Sequence, residues 1–334
     1  MSKQLAIQVT EWRQDSLDGA AVTEVPIPEP QAGEALVRIL LRPVNPTDLV
    51  TLHGARAATI KLPTIPGSEG VGIIEQPAAS STKFSKGQRV VGCSFGSAHS
   101  GQGTWQQFLA VPEANLLPVP DSVPNHFAAQ FYVNPVTAFG LVEALAAPQG
   151  EWIIQTAAGS VLGRQLIVLA KRKGVRTINI IRRSAQRDEL LQLGADEVIA
   201  TDSEDIKERV DEITGGKGAW AAADAIAGDT SAQLMGCIRT GGSVYVYGAL
   251  SGLVANAPVL DLLSGKTLTG FSLPIWRKAY DARGGPTAGS EVMKLLEDNV
   301  IQPLTGKTYR LEDFKEAIKA STEIGHGGKI LLEG

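Results

Sequence analysis

Cysteine and histidine are both scarce in this chain. Its 334 residues hold two cysteines, Cys93 and Cys237, too few and too distant in sequence for a disulfide framework, which suits a reducing compartment. The four histidines, His53, His99, His126 and His326, have no metal-ligand spacing among themselves and read as surface or loop residues. No apolar run approaches the roughly 18 residues of a membrane span, and Met1-Ser2-Lys3-Gln4 leads into an alternating strand rather than a signal-peptide core. The expected location is therefore cytoplasmic. An excess of one charge is missing too: 31 Lys and Arg against 35 Asp and Glu give a net charge of −4, without the basic stripe a nucleic-acid protein needs. Internal repeats and low-complexity tracts are also absent.

What the chain does have is apolar content, 43%, enough for two cores of ordinary size. The most informative stretch runs from Trp152 to Ser184. An apolar strand, Trp152-Ile153-Ile154-Gln155-Thr156, enters a small-residue turn, Ala157-Ala158-Gly159-Ser160-Val161-Leu162-Gly163, and apolar residues then recur at helical spacing through Leu166, Ile167, Leu169 and Ala170. Strand, turn and helix in this order make a Rossmann unit. A helix that starts in such a turn points free N–H groups and its positive dipole end at a pyrophosphate. Val161 stands where the middle glycine of Gly-x-Gly-x-x-Gly would be. The next strand, Arg176 to Ile181, ends about 20 residues on, where an NAD enzyme places Asp or Glu against the ribose 2′-hydroxyl. Here Arg182, Arg183 and Ser184 follow instead. Forked guanidinium contacts suit a 2′-phosphate, so the expected cofactor is NADPH. The other reading of the arginine pair is a solvated strand end.

Short strands separated by Pro and Gly fill the N-terminal third: Leu5–Val9, Ala35–Leu41, Val71–Glu75, Gln88–Cys93 and Gln106–Val111. From Asn125 the texture changes. Helical patterns at Phe127–Tyr132 and Val136–Ala147 precede regular alternation of strands and helices, with strand candidates at Glu197–Ala200, Ala219–Ile226 and Ser243–Tyr247. Alternation of this kind predicts an α/β fold with a doubly wound parallel sheet. The tail, helical at Ser290–Asp298 and Glu312–Ser321 and strand-like at Thr305–Tyr309 and Lys329–Leu332, is expected to return to the N-terminal domain, with the active site in a cleft between the two. The expected domains are a β-rich catalytic domain, residues 1–124 with 272–334, and a Rossmann domain, residues 125–271.

Six segments carry a family resemblance: Val44-Asn45-Pro46-Thr47-Asp48, Pro66-Gly67-Ser68-Glu69-Gly70-Val71-Gly72, Lys86-Gly87-Gln88-Arg89-Val90, Asn134-Pro135-Val136-Thr137-Ala138, Leu193-Gly194-Ala195-Asp196 and Gly248-Ala249-Leu250-Ser251. In order around the Rossmann turn, they resemble the medium-chain dehydrogenases/reductases over nearly the whole chain. The resemblance implies a GroES-like catalytic domain. Zinc alcohol dehydrogenases of that family place Cys near Asn45 and His in a Gly-His-Glu triplet, which here is Gly67-Ser68-Glu69. Their structural zinc lobe needs four closely spaced cysteines, so no metal is expected. Zinc-free relatives are quinone oxidoreductases and 2-enoyl thioester reductases. Gln155 to Ala158, Thr177 to Arg182, Val133 to Pro135 and Phe271 to Trp276 are similar to the enoyl branch.

The resemblance implies NADPH-dependent hydride transfer to the β-carbon of a small-molecule enone, quinone or enoyl thioester, with no zinc. It places Thr137 at the nicotinamide carboxamide and Gly159, Ser160, Val161, Leu162, Arg182, Arg183, Gly248, Ala249, Leu250, Phe271, Leu273 and Lys329 along the cofactor. Thr137 as a helix cap, Trp276 and Phe271 as core, and Lys329 as an exposed strand-start residue remain alternatives. Asn45 and Arg56 are candidates near the reacting end; Asn45 can instead brace the turn before Pro46, and Arg56 can simply be solvated. In the enoyl branch a tyrosine, the proposed proton donor, stands where this chain has Arg56. An arginine is no ready proton donor, which leaves water or a ribose hydroxyl. A catalytically inactive NADPH-binding protein of the same fold is the alternative that this departure favours. Relatives commonly dimerise through an edge strand of the nucleotide domain, so a homodimer is expected, with Ser243–Tyr247 as the candidate edge.

Overall fold

The computed structural model describes residues 2–13, 16–54, 57–92, 102–323 and 327–334. They fall into two compact units, Met1–Pro135 with Gly289–Gly334, and Val136–Ala288. Both seams lie further along the chain than residues 124/125 and 271/272.

The first unit is β-rich. In chain order its strands are β1 (Lys3–Val9), β2 (Ala20–Pro26), β3 (Glu34–Pro43), β4 (Val71–Gln76), β5 (Arg89–Gly92), β6 (Phe108–Pro112) and β7 (Leu116–Pro118). β2 escapes sequence reading because most of its side chains are exposed or half-exposed and leave no apolar alternation. It pairs antiparallel with β1. In the second unit the strands are β8 (Trp152–Gln155), β9 (Arg176–Ile181), β10 (Glu197–Ala200), β11 (Ala219–Asp224), β12 (Ile238–Val246) and β13 (Thr267–Gly270). The chain then returns to the first unit with the helix Ala288–Glu297, β14 (Thr305–Arg310), the helix Phe314–Thr322 and β15 (Lys329–Glu333). The order β14-β15-β3-β4-β5-β7, with β6 on β3, builds the C-terminal strands into the N-terminal sheet, as the sequence predicts. One core gathers Ile7, Trp105, Phe314 and Leu332, and another Val37, Ile74, Val90 and Leu116.

The second unit is a six-stranded sheet in the order β10-β9-β8-β11-β12-β13, every pair parallel. Apolar residues fill both faces, as a parallel sheet covered by helices requires. Ile154, Ile178, Ile180 and Leu234 lie in one core and Ile167, Ile181, Leu190 and Val198 in another. Strand order reverses between β9-β8 and β11, the switch point at which such sheets bind ligands. The sheet corrects one expectation: β12, which contains Ser243–Val246, is paired on both sides, and the edge strand next to it is the short β13.

The region expected as two helices is more broken. A single turn, Asn125–Ala128, is followed by a π-helical stretch, Tyr132–Val136, and then the helix Thr137–Leu145. Pro135 has no N–H to give, and the amides of Tyr132 and Val133 bond to the carboxylate of Glu69 at 2.7 and 2.8 Å instead of to backbone. Ala146, with φ +46°, ends the helix.

Candidate active site

The cofactor candidates of the second unit gather at the carboxyl ends of its strands. Gly159 to Leu162 follow β8, Arg182 and Arg183 follow β9, Gly248 to Leu250 follow β12, and Phe271 and Leu273 follow β13. Ser160 is the N-cap of the helix Val161–Arg172, its hydroxyl accepting the N–H of Gly163 at 3.1 Å. The first-turn amides of Val161 and Leu162 have no partner within the helix and remain for an anion. Gly163 is required by contact, since a Cβ there would lie 2.6 Å from the carbonyl oxygen of Ala158. At Gly159 a Cβ would meet the side chain of Gln186 at 2.9 Å, so glycine is what lets Gln186 close on the turn. These features fit a dinucleotide pyrophosphate.

Two buried polar networks hold this edge. Under the helix, Gln155 Nε2 donates to the carbonyl of Gly163 at 3.0 Å and to Asn179 Oδ1 at 2.7 Å, which ties β8 and β9 to the turn. Across the switch point, Asp224 accepts the hydroxyls of Thr156 at 2.9 Å and Ser231 at 2.7 Å and the amides of Ile226 and Ala227. Gly248 packs on the segment so held; a Cβ there would meet the carbonyl oxygen of Ala225 at 2.5 Å. Sequence reading passed over Gln155, Asn179 and Asp224 as positioning groups. The only signal was a polar residue placed inside an apolar strand.

Arg182 and Arg183 are exposed, and neither guanidinium has a hydrogen-bond or ion-pair partner among the described residues. The acid nearest in the network, Asp202, accepts the N–H of Ser184 at 2.9 Å, which holds its carboxyl below the usual range. Thr137 is the first residue of its helix and is buried, and the cap position belongs to Val136, so its hydroxyl is not a cap. Phe271 and Trp276 stack with Phe139 and Tyr280, ring centroids 5.0–6.0 Å apart, and close on Gly140, where a Cβ would lie 2.8 Å from either ring.

The first unit brings together a different cluster. Asn45 is fully buried and is the N-cap of the helix Pro46–Leu52; its Nδ2 also donates to Glu69 Oε1 at 2.9 Å, and its Oδ1 has no side-chain hydrogen-bond partner among the described residues. Its backbone N–H donates to Asp48 Oδ2 at 2.9 Å, while the Ser68 hydroxyl donates to Asp48 Oδ1 at 2.6 Å. Burial pushes the carboxyl of Asp48 up to about 6 and that of Glu69 up to about 7. Lys329, partly buried at the start of β15, is the cation that acts on both; burial lowers its ammonium and the two carboxylates oppose that. Asp48 and Glu69 were visible only as members of family segments, because burial of a charge leaves no mark on sequence. Arg56 lies outside the described residues.

A glycine turn at the switch point of a doubly wound sheet, in one chain with a β-rich unit holding a buried polar cluster, defines an oxidoreductase with a nicotinamide cofactor. Two family models match, one described as alcohol dehydrogenase GroES-like domain over residues 31–121 and one as zinc-binding dehydrogenase over residues 162–282. A mitochondrial enoyl-[acyl-carrier-protein] reductase of Dictyostelium discoideum is 27% identical over 90% of this chain and 86% of its own length. Its counterpart in Xenopus tropicalis is 28% identical over 94% and 91%. The crystal structure of a "putative NADPH:quinone reductase" from Bacillus thuringiensis is 31% identical, covers both chains completely and superposes with a TM-score of 0.91. This chain belongs to the medium-chain dehydrogenase/reductase family, in its quinone and enoyl reductase branch.

Zinc does not fit the residues present, whatever the second family model is called. Where the zinc enzymes carry thiolate and imidazole, this chain has the Asn45 carboxamide, engaged with Glu69, and the Ser68 hydroxyl, engaged with Asp48. No group of three His, Cys, Asp or Glu among the described residues could hold a metal ion.

Proposed function

We propose that this protein reduces an activated carbon–carbon double bond or a quinone with NADPH, without zinc. The observation that carries the reading is the exposed pair Arg182 and Arg183, unpartnered among the described residues, at the strand end where an NAD enzyme would carry an acid. Forked donors there match a 2′-phosphate. The names of the relatives, enoyl reductase and NADPH:quinone reductase, support the substrate class.

The nicotinamide, when bound, supplies the hydride. The chain's own groups orient the two partners. The helix N-terminus at Val161 and Leu162, capped by Ser160 beside Gly159, takes the pyrophosphate. Gly248, Ala249, Leu250, Phe271 and Leu273 are assigned to the cofactor, Thr137 and Lys329 to its nicotinamide, and Asn45 and Arg56 to the reacting end of the substrate. A purified sample given quinone, enone and enoyl thioester in turn should oxidise NADPH with at least one of them, and with NADH more weakly. Tight NADPH binding without turnover on any of the three would instead favour the inactive reading.

A homodimer through β13 belongs to the same proposal. That strand ends the sheet's order, and in the segment of chain that leads to it Leu253, Leu260 and Leu263 are 82%, 80% and 78% exposed. An edge strand that follows exposed apolar side chains favours pairing with a second copy. Light scattering should give the mass of two chains, and Leu260→Lys with Leu263→Lys should give one. A monomeric wild type would end this part of the proposal.

A further inference from the structure

Asp48 and Glu69 are enclosed carboxyls, and among the described residues the cation that acts on both is the ammonium of Lys329. With all three groups charged, the cluster would bury one uncompensated negative charge, so it favours keeping a proton. The two acids differ in their donors. Glu69 accepts three N–H bonds, from Asn45, Tyr132 and Val133, and an N–H cannot reverse its role. Asp48 accepts the backbone N–H groups of Asn45 and Ser68, but its Oδ1 also meets the Ser68 hydroxyl, which can either donate or accept. Ser68 is partly exposed although Asp48 is buried, so the serine hydroxyl stands between that carboxyl and the surface. Asn45, the N-cap of the helix that carries Asp48, lies beside them with its Oδ1 enclosed.

We propose that Asp48 and Ser68 form the proton relay that completes substrate reduction, in the absence of the family tyrosine. This rests on the reductase reading above. When Asp48 is protonated its O–H donates to Ser68 Oγ, and the serine O–H turns outward. As the substrate's β-carbon gains the hydride, the C=C electron pair moves onto the carbonyl oxygen as an enolate. The Ser68 O–H bond breaks as the C–H bond at the α-carbon forms, and the Asp48 O–H bond breaks to restore the serine. Asp48 is left as carboxylate and takes its next proton from water through Ser68. The nicotinamide loses two electrons and the substrate gains them. Ser68 is the catalytic residue of the pair and Asp48 acts through it; Lys329 and Glu69 are the charged groups that bias Asp48.

The test uses Ser68→Ala, Ser68→Thr and Asp48→Asn, with an enone or enoyl thioester and NADPH. Ser68→Ala should lower kcat about 100-fold with the KM for NADPH unchanged, and Ser68→Thr should recover most of it. Wild-type kcat should fall as pH rises above about 6, and Asp48→Asn should lose that limb. Infrared titration of the substrate-free protein should show two protonated-carboxyl bands near pH 6, one of which is absent in Asp48→Asn and shifted in Ser68→Ala while the other, from Glu69, remains. Near-wild-type kcat in Ser68→Ala, an unchanged pH limb in Asp48→Asn, or the same bands in Asp48→Asn as in the wild type would each overturn the relay. An Asp48-dependent band with no turnover by the wild type on any acceptor would overturn the reductase reading instead.

Discussion

Replacing Arg182 and Arg183 together by alanine is expected to weaken NADPH binding by roughly 30- to 1000-fold while NADH binding changes by less than about threefold. Each charge-assisted contact to a phosphate is worth about 1.5–3 kcal/mol, and both side chains are exposed, so the loss should fall toward the lower end. Raising the salt concentration should narrow the gap between the cofactors in the wild type, because screening acts on the 2′-phosphate contacts more than on the shared pyrophosphate site. Titration of cofactor fluorescence with the double variant measures both constants. Equal losses for NADPH and NADH would remove the phosphate role and leave the pair as a solvated strand end.

Trp105→Ala should cost the first unit about 3–5 kcal/mol, the usual range for emptying a buried tryptophan site. The side chain is fully buried in the core that holds Ile7 and Phe314. Its backbone is as important as its ring: Trp105 N–H bonds to the carbonyl of Pro66 at 3.0 Å, Thr104 N–H to that of Gly67 at 3.1 Å, and the Thr104 hydroxyl to that of Glu69 at 2.8 Å. Gly67, at φ +105°, has no room for a Cβ, which would lie 2.5 Å from the Trp105 ring. The ring thus fixes the segment that presents Ser68 and Glu69. Urea unfolding should show a lower midpoint with an unchanged slope, and a loss under about 1 kcal/mol would contradict this packing. Trp105→Phe, which refills part of the site, should recover about half.

The parallel sheet was legible because its strands carry near-continuous apolar runs and its turn carries small residues at fixed spacing. Glu197–Ala200 emerged as predicted, and the C-terminal strands do join the N-terminal sheet. The sheet edge was misjudged because Thr267-Leu268-Thr269-Gly270 is too short and too polar to announce a strand, so β12 took its place. In the site, the glycine turn and the arginine pair could be read from residue types alone. Asn45 was found, but its link to Glu69 spans 24 positions and was not.

By itself, then, the sequence determined the fold class, the nucleotide turn, the absence of thiolate and imidazole where zinc would need them, and the arginines at the strand end. Those follow from local chemistry and short-range periodicity. Only the tertiary structure decided that Asp48 and Glu69 are buried with Lys329 acting on both, that Ser68 meets Asp48 at 2.6 Å, and that β13 is an edge strand. A carboxyl's proton affinity and a strand's free edge depend on neighbours brought from distant parts of the chain, which no local pattern records.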